Sequence, residues 1–265
     1  LLSPLVDKLK GGDFNTIKME SYSHLGTAYK ETNHYNEAIK YFDEAIALTG
    51  KDTDYLLTKY LEAKGDCLAD VGKTSEGLQL YLDALKIDED ILKIIDDDKY
   101  IGMSRRLSKV GDTLLKIGVD TDISTSIDYY SWASEKAMTD IEHVFSMLGL
   151  AQVWVVLGDF EKALESYDNI IDFSQEMTRV NLKNEIYYRA GLAYLYTNNA
   201  QSAMELFNNA FQFDYPPNTD NLHAARGIAA LLLGDTDFAK NEFERTLEVV
   251  EMQLNFSDEK NIYFS

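Results

Sequence analysis

One feature constrains this 265-residue chain more than any other: a fixed set of small, aromatic and Gly/Asn positions recurs six times in register. Counting from Gly26, the offsets three, seven, twelve, sixteen and nineteen fall on Tyr29, Asn33, Ala38, Phe42 and Ala45. The same offsets from Gly65 give Leu68, Gly72, Gly77, Tyr81 and Ala84, and from Ala151 they give Trp154, Gly158, Ala163, Tyr167 and Ile170. From Gly191 they give Tyr194, Asn198, Ala203, Phe207 and Ala210, and from Gly227 they give Ala230, Gly234, Ala239, Phe243 and Thr246. A further copy starts at Gly111 with Leu114 and Gly118, then carries three extra residues before Ser126, Tyr130 and Ala133. Self-similarity at such a period means stacked supersecondary units, each burying its apolar face against its neighbours.

Each offset has a physical job. The small residue at the origin lets a second helix cross close to the first. The Gly or Asn at seven suits the left-handed residue that ends a helix. The small residue at twelve marks the closest approach of the second helix, the aromatic at sixteen fills the space between the two, and the small residue at nineteen admits the next pair. Phe42, Tyr81, Tyr167 and Phe207 are therefore expected to be core knobs. Between the turns, apolar residues recur at three and four, as in Ala38, Ile39, Phe42, Ala45 and Ile46, the spacing of an amphipathic helix. Asp159 and Asp235 follow the turn glycines and are placed to cap the next helix.

The pattern resembles the tetratricopeptide repeat family across roughly residues 18–250, most closely in LGTAYKETNHYNEAIKYFDEAIAL (25–48) and LGDFEKALESYDNII (157–171). The origins lie 36 to 46 residues apart, where about 34 is usual. That long period is similar to kinesin light chain and to bacterial peptide-sensing regulators. The resemblance implies an all-α, right-handed superhelical solenoid of about six helix hairpins. It is read as one domain over 1–265, with repeats at about 18–50, 52–88, 99–138, 139–175, 178–214 and 219–254. A lone helix is expected near 2–10, and the weakest junction at 87–100.

Composition narrows the partners. The formal charge is −20, so nucleic acid and anionic membrane are repelled, while basic or shape-read protein partners are favoured. The acids are densest from Asp83 to Asp98, which reads as a solvated face. Three prolines leave room for long helices. No run of about 18 apolar residues is found, so no membrane insertion is expected. The single Cys67 excludes an internal disulfide framework and reads as a small core residue. The expected compartment is cytoplasmic.

The chemistry-bearing residues form no recognisable site. His24, His34, His143 and His223 lack zinc-type spacing. Asp140 and Glu142 beside His143 suit a helix start, and Asp120 and Asp122 open no complete calcium loop. No phosphate-binding Gly-rich loop appears, and Cys67 lacks a base in a known arrangement. No catalytic residue, metal or cofactor is expected, and the chain is read as a non-enzyme.

In the resembled family, ligands lie along the first helices of the pairs, at −6, −3, +1 and +4 from each origin. The first three copies place polar residues there: Glu20, Ser23, Thr27, Lys30; Lys59, Glu62, Asp66, Ala69; Arg105, Ser108, Asp112, Leu115. Ser23 and Thr27 stand where members that grip acidic chaperone tails carry Lys and Asn, which argues against that ligand. The later copies turn apolar, and Phe145, Leu148, Gln152, Val155, Tyr188, Leu192, Leu195, Ile228 and Leu231 are expected to form a trough that receives a helix, either of a partner protein or of the chain's own end, where Val249, Val250, Met252, Leu254 and Phe256 could fold back as a cap. The leading expectation is a protein-interaction scaffold or adaptor binding a peptide, an amphipathic helix or a basic segment. The alternatives are a peptide-sensing regulatory domain of a larger regulator and a vesicle-fusion adaptor resembling the soluble attachment proteins.

Overall fold

The computed structural model describes residues 15–50, 54–95, 102–177, 180–213 and 219–264. The helix expected near 2–10 lies outside them. Among the described residues the chain is all-α, with twelve helices and no strand. They pair as the repeat dictates: α1 Asn15–Glu31 with α2 Tyr35–Ala47, α3 Asp54–Asp70 with α4 Thr74–Ile95, and α5 Met103–Ile117 with α6 Asp120–Glu135. Then come α7 Asp140–Leu157 with α8 Phe160–Ser174, α9 Val180–Tyr196 with α10 Ala200–Gln212, and α11 Thr219–Leu233 with α12 Thr236–Phe264.

The helices group into two compact units, Leu1–Leu150 and Ala151–Ser265. The boundary falls within α7, not at 87–100. There α4 runs on to Ile95, and its Tyr81 and Leu85 share one core with Met103, Leu107, Val110 and Leu114 of α5. The acidic run is therefore only partly a solvated face. Asp83, Glu89 and Asp90 are exposed, whereas Asp88 is wholly buried.

All six residues at offset seven are left-handed: Asn33, Gly72, Gly118, Gly158, Asn198 and Gly234. Their short side chains make that conformation tolerable, so each first helix stops where its partner must start. Asp159, Asn199 and Asp235 then accept from the backbone N–H groups of Lys162, Ser202 and Phe238 at 3.0–3.3 Å. The start of α7 is a capping box, Thr139 accepting from the Glu142 N–H and Glu142 from the Met138 N–H.

Phe42, Tyr81, Tyr167 and Phe207 are the buried knobs expected of them. For Phe42, Tyr81 and Phe207 the origin glycines are the sockets. A Cβ on Gly191 would stand 2.4 Å from the Phe207 ring, so no larger residue fits without displacing the knob. Tyr130 differs from the others, because its ring presses on Gly111 of its own pair and on Gly149 of α7 as well. Cys67 is buried in the core of the first two pairs.

By length and composition α7 is apolar enough to cross a membrane, unlike any span the sequence reading anticipated. Its apolar residues divide between buried Val144, Leu148, Ala151 and Val153 and exposed Phe145, Val156 and Leu157, and its first turn carries Asp140, Glu142 and His143.

Candidate functional site

The face lined by the first helices of the first unit is charged and internally paired. Asp66 of α3 receives Lys30 of α1 at 2.5 Å, Lys109 of α5, and the Tyr81 hydroxyl at 2.8 Å. Burial alone would raise the Asp66 carboxyl, but Lys109 and Lys30 outweigh it and hold the group below the usual carboxylate range. Burial likewise opposes the Lys30 charge, and Asp66 overrides it, so the ammonium is held more firmly than usual. One turn away, Glu62 accepts two bonds from Arg105 at 2.7 and 3.0 Å and one from Arg106 at 3.2 Å. Arg106 also grips Asp88 of α4 through two bonds at 2.6 and 2.7 Å. Arg106 is 1% exposed and Asp88 0%, so this pair lies in the core beneath the face. Such a bidentate pair offsets the desolvation of both ions only while it stays complete.

A cleft of about 760 Å³ opens over this network, between Glu20, Ser23 and Thr27 of α1 and Lys59, Glu62 and Arg105. Seven of the expected inner-face positions, these six and Asp66, thus line one cavity. Their charges are already neutralised in large part by one another.

The expected apolar trough is divided differently from the sequence reading. In the first unit, Phe145 is 54% exposed, but Leu148 is 2% exposed and belongs to the core. Leu148 is withdrawn from the contact surface, since a fully covered side chain cannot meet a partner. In the second unit, Gln152 and Val155 are half-buried. Tyr188, Leu192 and Leu195 of α9 are also half-buried, with their inner sides on the core around Phe207 and Leu222. Beside them on α11, Ile228 is 46% and Leu231 50% exposed, and Leu232 adds to the same apolar surface. The second unit therefore carries an apolar shelf from α9 and α11, bordered by the Glu185–Arg189 pair at 2.5 Å.

The sequence reading missed the Arg106–Asp88 pair and the three cations around Glu62. It also missed a second buried centre, where Glu242 of α12 receives His223 at 2.8 Å while Arg226 and Arg245 stand at 3.4 and 3.6 Å. Arg226 is sandwiched between the Phe211 and Phe238 rings, 4.5 and 4.9 Å from their centres. Charged residues at core-facing positions of an otherwise apolar stripe were the available signal. Among the described residues no three His, Cys, Asp or Glu side chains come together as metal ligands do.

Comparison with known proteins agrees with this architecture. Residues 19–52 match the tetratricopeptide repeat model, and residues 129–215 match a family described as RNA polymerase I-associated factor PAF67. No curated protein matches the chain. Among solved structures, BtubC (BKLC) from P. vanneervenii is 13% identical with a TM-score of 0.63, covering 90% of this chain and 92% of its own. A tetratricopeptide repeat protein from Parabacteroides merdae is 16% identical with a TM-score of 0.65, covering 88% and 79%. The APC/C hetero-tetramer Cut9–Hcn1 is 15% identical with a TM-score of 0.66; the match covers 93% of this chain and 42% of the other. At such identities the likeness is one of fold. With six copies of the repeat in register, a left-handed residue closing the first helix of each and an aromatic knob in the second, the chain has the fold of tetratricopeptide-repeat proteins, and its first copy matches that family's model.

Proposed function

We propose that this chain is a protein-interaction scaffold, acting by binding and not by catalysis, and that it holds an amphipathic helix of a partner protein on the apolar shelf of its second unit. The observation that carries the reading is the exposure of Ile228 and Leu231 beside half-buried Tyr188, Leu192 and Leu195. Adjacent apolar side chains left open to water are uncommon without a partner to cover them. A helix presenting apolar residues every three or four positions would lie along the rows of α9 and α11. The fold is one found within assemblies, since the matched Cut9–Hcn1 structure is itself a hetero-tetramer. The formal charge of −20 favours a partner segment with Lys or Arg on its polar side.

The test replaces Ile228 and Leu231 together with Asp. Both are at least 46% exposed, so the variant is expected to keep its helical circular dichroism and melt close to wild type. A photo-crosslinking residue at 231 should capture a partner in the parent protein, and the double variant should lose that partner by about tenfold or more. A double variant that binds its captured partner as tightly as the parent removes the shelf from the account.

A further inference from the structure

A second cleft, of about 530 Å³, opens on the first unit away from the first-helix face. Leu82 and Leu92 of α4 and Tyr129 and Trp132 of α6 wall it, and Met103 and Leu107 of α5 form its floor. The floor belongs to the core of the unit, and Leu82, Leu92 and Tyr129 pack against that core. Trp132 lies edge-on to Tyr129, with ring centres 5.4 Å apart, and is 49% exposed. The cleft exists because α4 is 22 residues long, where α2 and α10 have 13. Its additional turns carry Leu92 out alongside α6.

The two helices that wall the cleft are net acidic, while the cleft lining itself carries two acids, Glu89 and Glu135, and two bases, Lys86 and Lys136. The α4 sequence holds five acidic and two basic residues, and α6 holds four acidic and none basic, giving a net of −7 from nine acids and two bases. Arg106 neutralises Asp88, and Lys93 pairs with Asp90. Beyond the lining, Asp83 and Asp128 are exposed on the same two helices, one residue from the lining Leu82 and Tyr129, and tip the surround to net negative. An apolar slot with a half-exposed tryptophan, set in an anionic surround, is complementary to a cationic amphipathic segment. The same charge disfavours nucleic acid and anionic lipid, which would add repulsion.

We infer that this cleft is a docking site separate from the apolar shelf, and that its occupant is a basic amphipathic helix of a partner protein. The helix places its apolar stripe between Leu92 and Trp132 and its Lys and Arg side chains against Glu89 and Glu135. The inference stands on the first unit alone and does not depend on the shelf.

The test uses the full chain with Trp154→Phe, which leaves Trp132 as the sole tryptophan. The probes are a lysine–leucine peptide of about four turns with its leucines on one face, and an isomer of the same composition with its leucines scattered. The amphipathic peptide should shift Trp132 emission to the blue and bind about tenfold more tightly than its isomer. Trp132→Ala should lower the affinity for a labelled amphipathic peptide by about tenfold, and Trp132→Phe should restore most of it. Three results overturn the inference. The isomers could bind equally, which means attraction by charge alone. The peptide could bind without moving Trp132 emission, which places it elsewhere. Sedimentation could show a dimer that Trp132→Ala dissociates, which means a second copy of the chain already covers the cleft. None of these outcomes touches the Ile228 and Leu231 experiment.

Discussion

The first-helix faces of the two units solve the same packing problem with opposite chemistry. In the first unit, Lys30, Glu62, Asp66, Arg105 and Lys109 answer one another across α1, α3 and α5. In the second, the corresponding positions are apolar, with Tyr188, Leu192 and Leu195 on α9 half-buried and Ile228 and Leu231 on α11 exposed. A charged face can be completed by its own side chains, because opposite charges on neighbouring helices find each other. An apolar face on an open row of helices has no such internal solution, and only another apolar surface removes it from water. The contrast is between a face closed by its own ion pairs and a face of apolar side chains left open to water.

The strongest way to break the contrast is to strip one ion from the first unit. Arg106→Met leaves Asp88 buried and unpaired and should cost about 3–5 kcal/mol in chemical denaturation. Adding Asp88→Leu should recover most of that loss, since Glu62 keeps Arg105. A single substitution that costs under about 1 kcal/mol would show that the pair is not closed in solution. In the second unit, Phe207→Ala should cost a similar amount, about 3–5 kcal/mol, by emptying the socket at Gly191. That loss should not be recovered by any polar change, and near-wild-type stability would mean the repeat register is wrong there.

A smaller effect follows from pH. The Asp66 carboxyl is held below its ordinary value in the folded chain, so its contribution is present above about pH 4 and is lost as pH falls through the depressed folded value. Lys30 is raised, so its contribution is present below about pH 10 and is lost as pH rises through the elevated folded value. Hydrogen-exchange protection in α3, taken relative to the intrinsic rate at each pH, should therefore fall at the acid end, and Asp66→Asn should abolish that acid dependence. Exchange in α3 that ignores acid would show that Asp66 does not hold the two lysines.

Much of this architecture is legible in the sequence because its requirements are local. A left-handed helix end needs Gly or Asn, and all six such positions are where the offsets place them. A knob needs a small residue sixteen positions earlier, and Gly191 before Phe207 is visible without coordinates. The Arg106–Asp88 pair is not legible, because its partners lie on different helices and obey no period. The charge run hid it: Asp88 stands among exposed acids yet turns inward on the stripe of Leu85 and Leu92. Leu148 shows the converse limit. Its offset assigns it to the contact face, but whether the neighbouring elements close over it is a property of packing in three dimensions.

The Tyr130 knob has a bearing on how such a chain could be rearranged. Phe42, Tyr81, Phe207 and Phe243 each find their glycine within their own helix pair, at Gly26, Gly65, Gly191 and Gly227. A pair of that kind carries its own lock and key, and could be duplicated, deleted or transplanted with its internal fit intact. Tyr130 is seated between Gly111 of its own pair and Gly149 of the next. The third pair therefore cannot be moved without the beginning of α7, and any recombination point placed between residues 130 and 149 would separate a key from half of its lock.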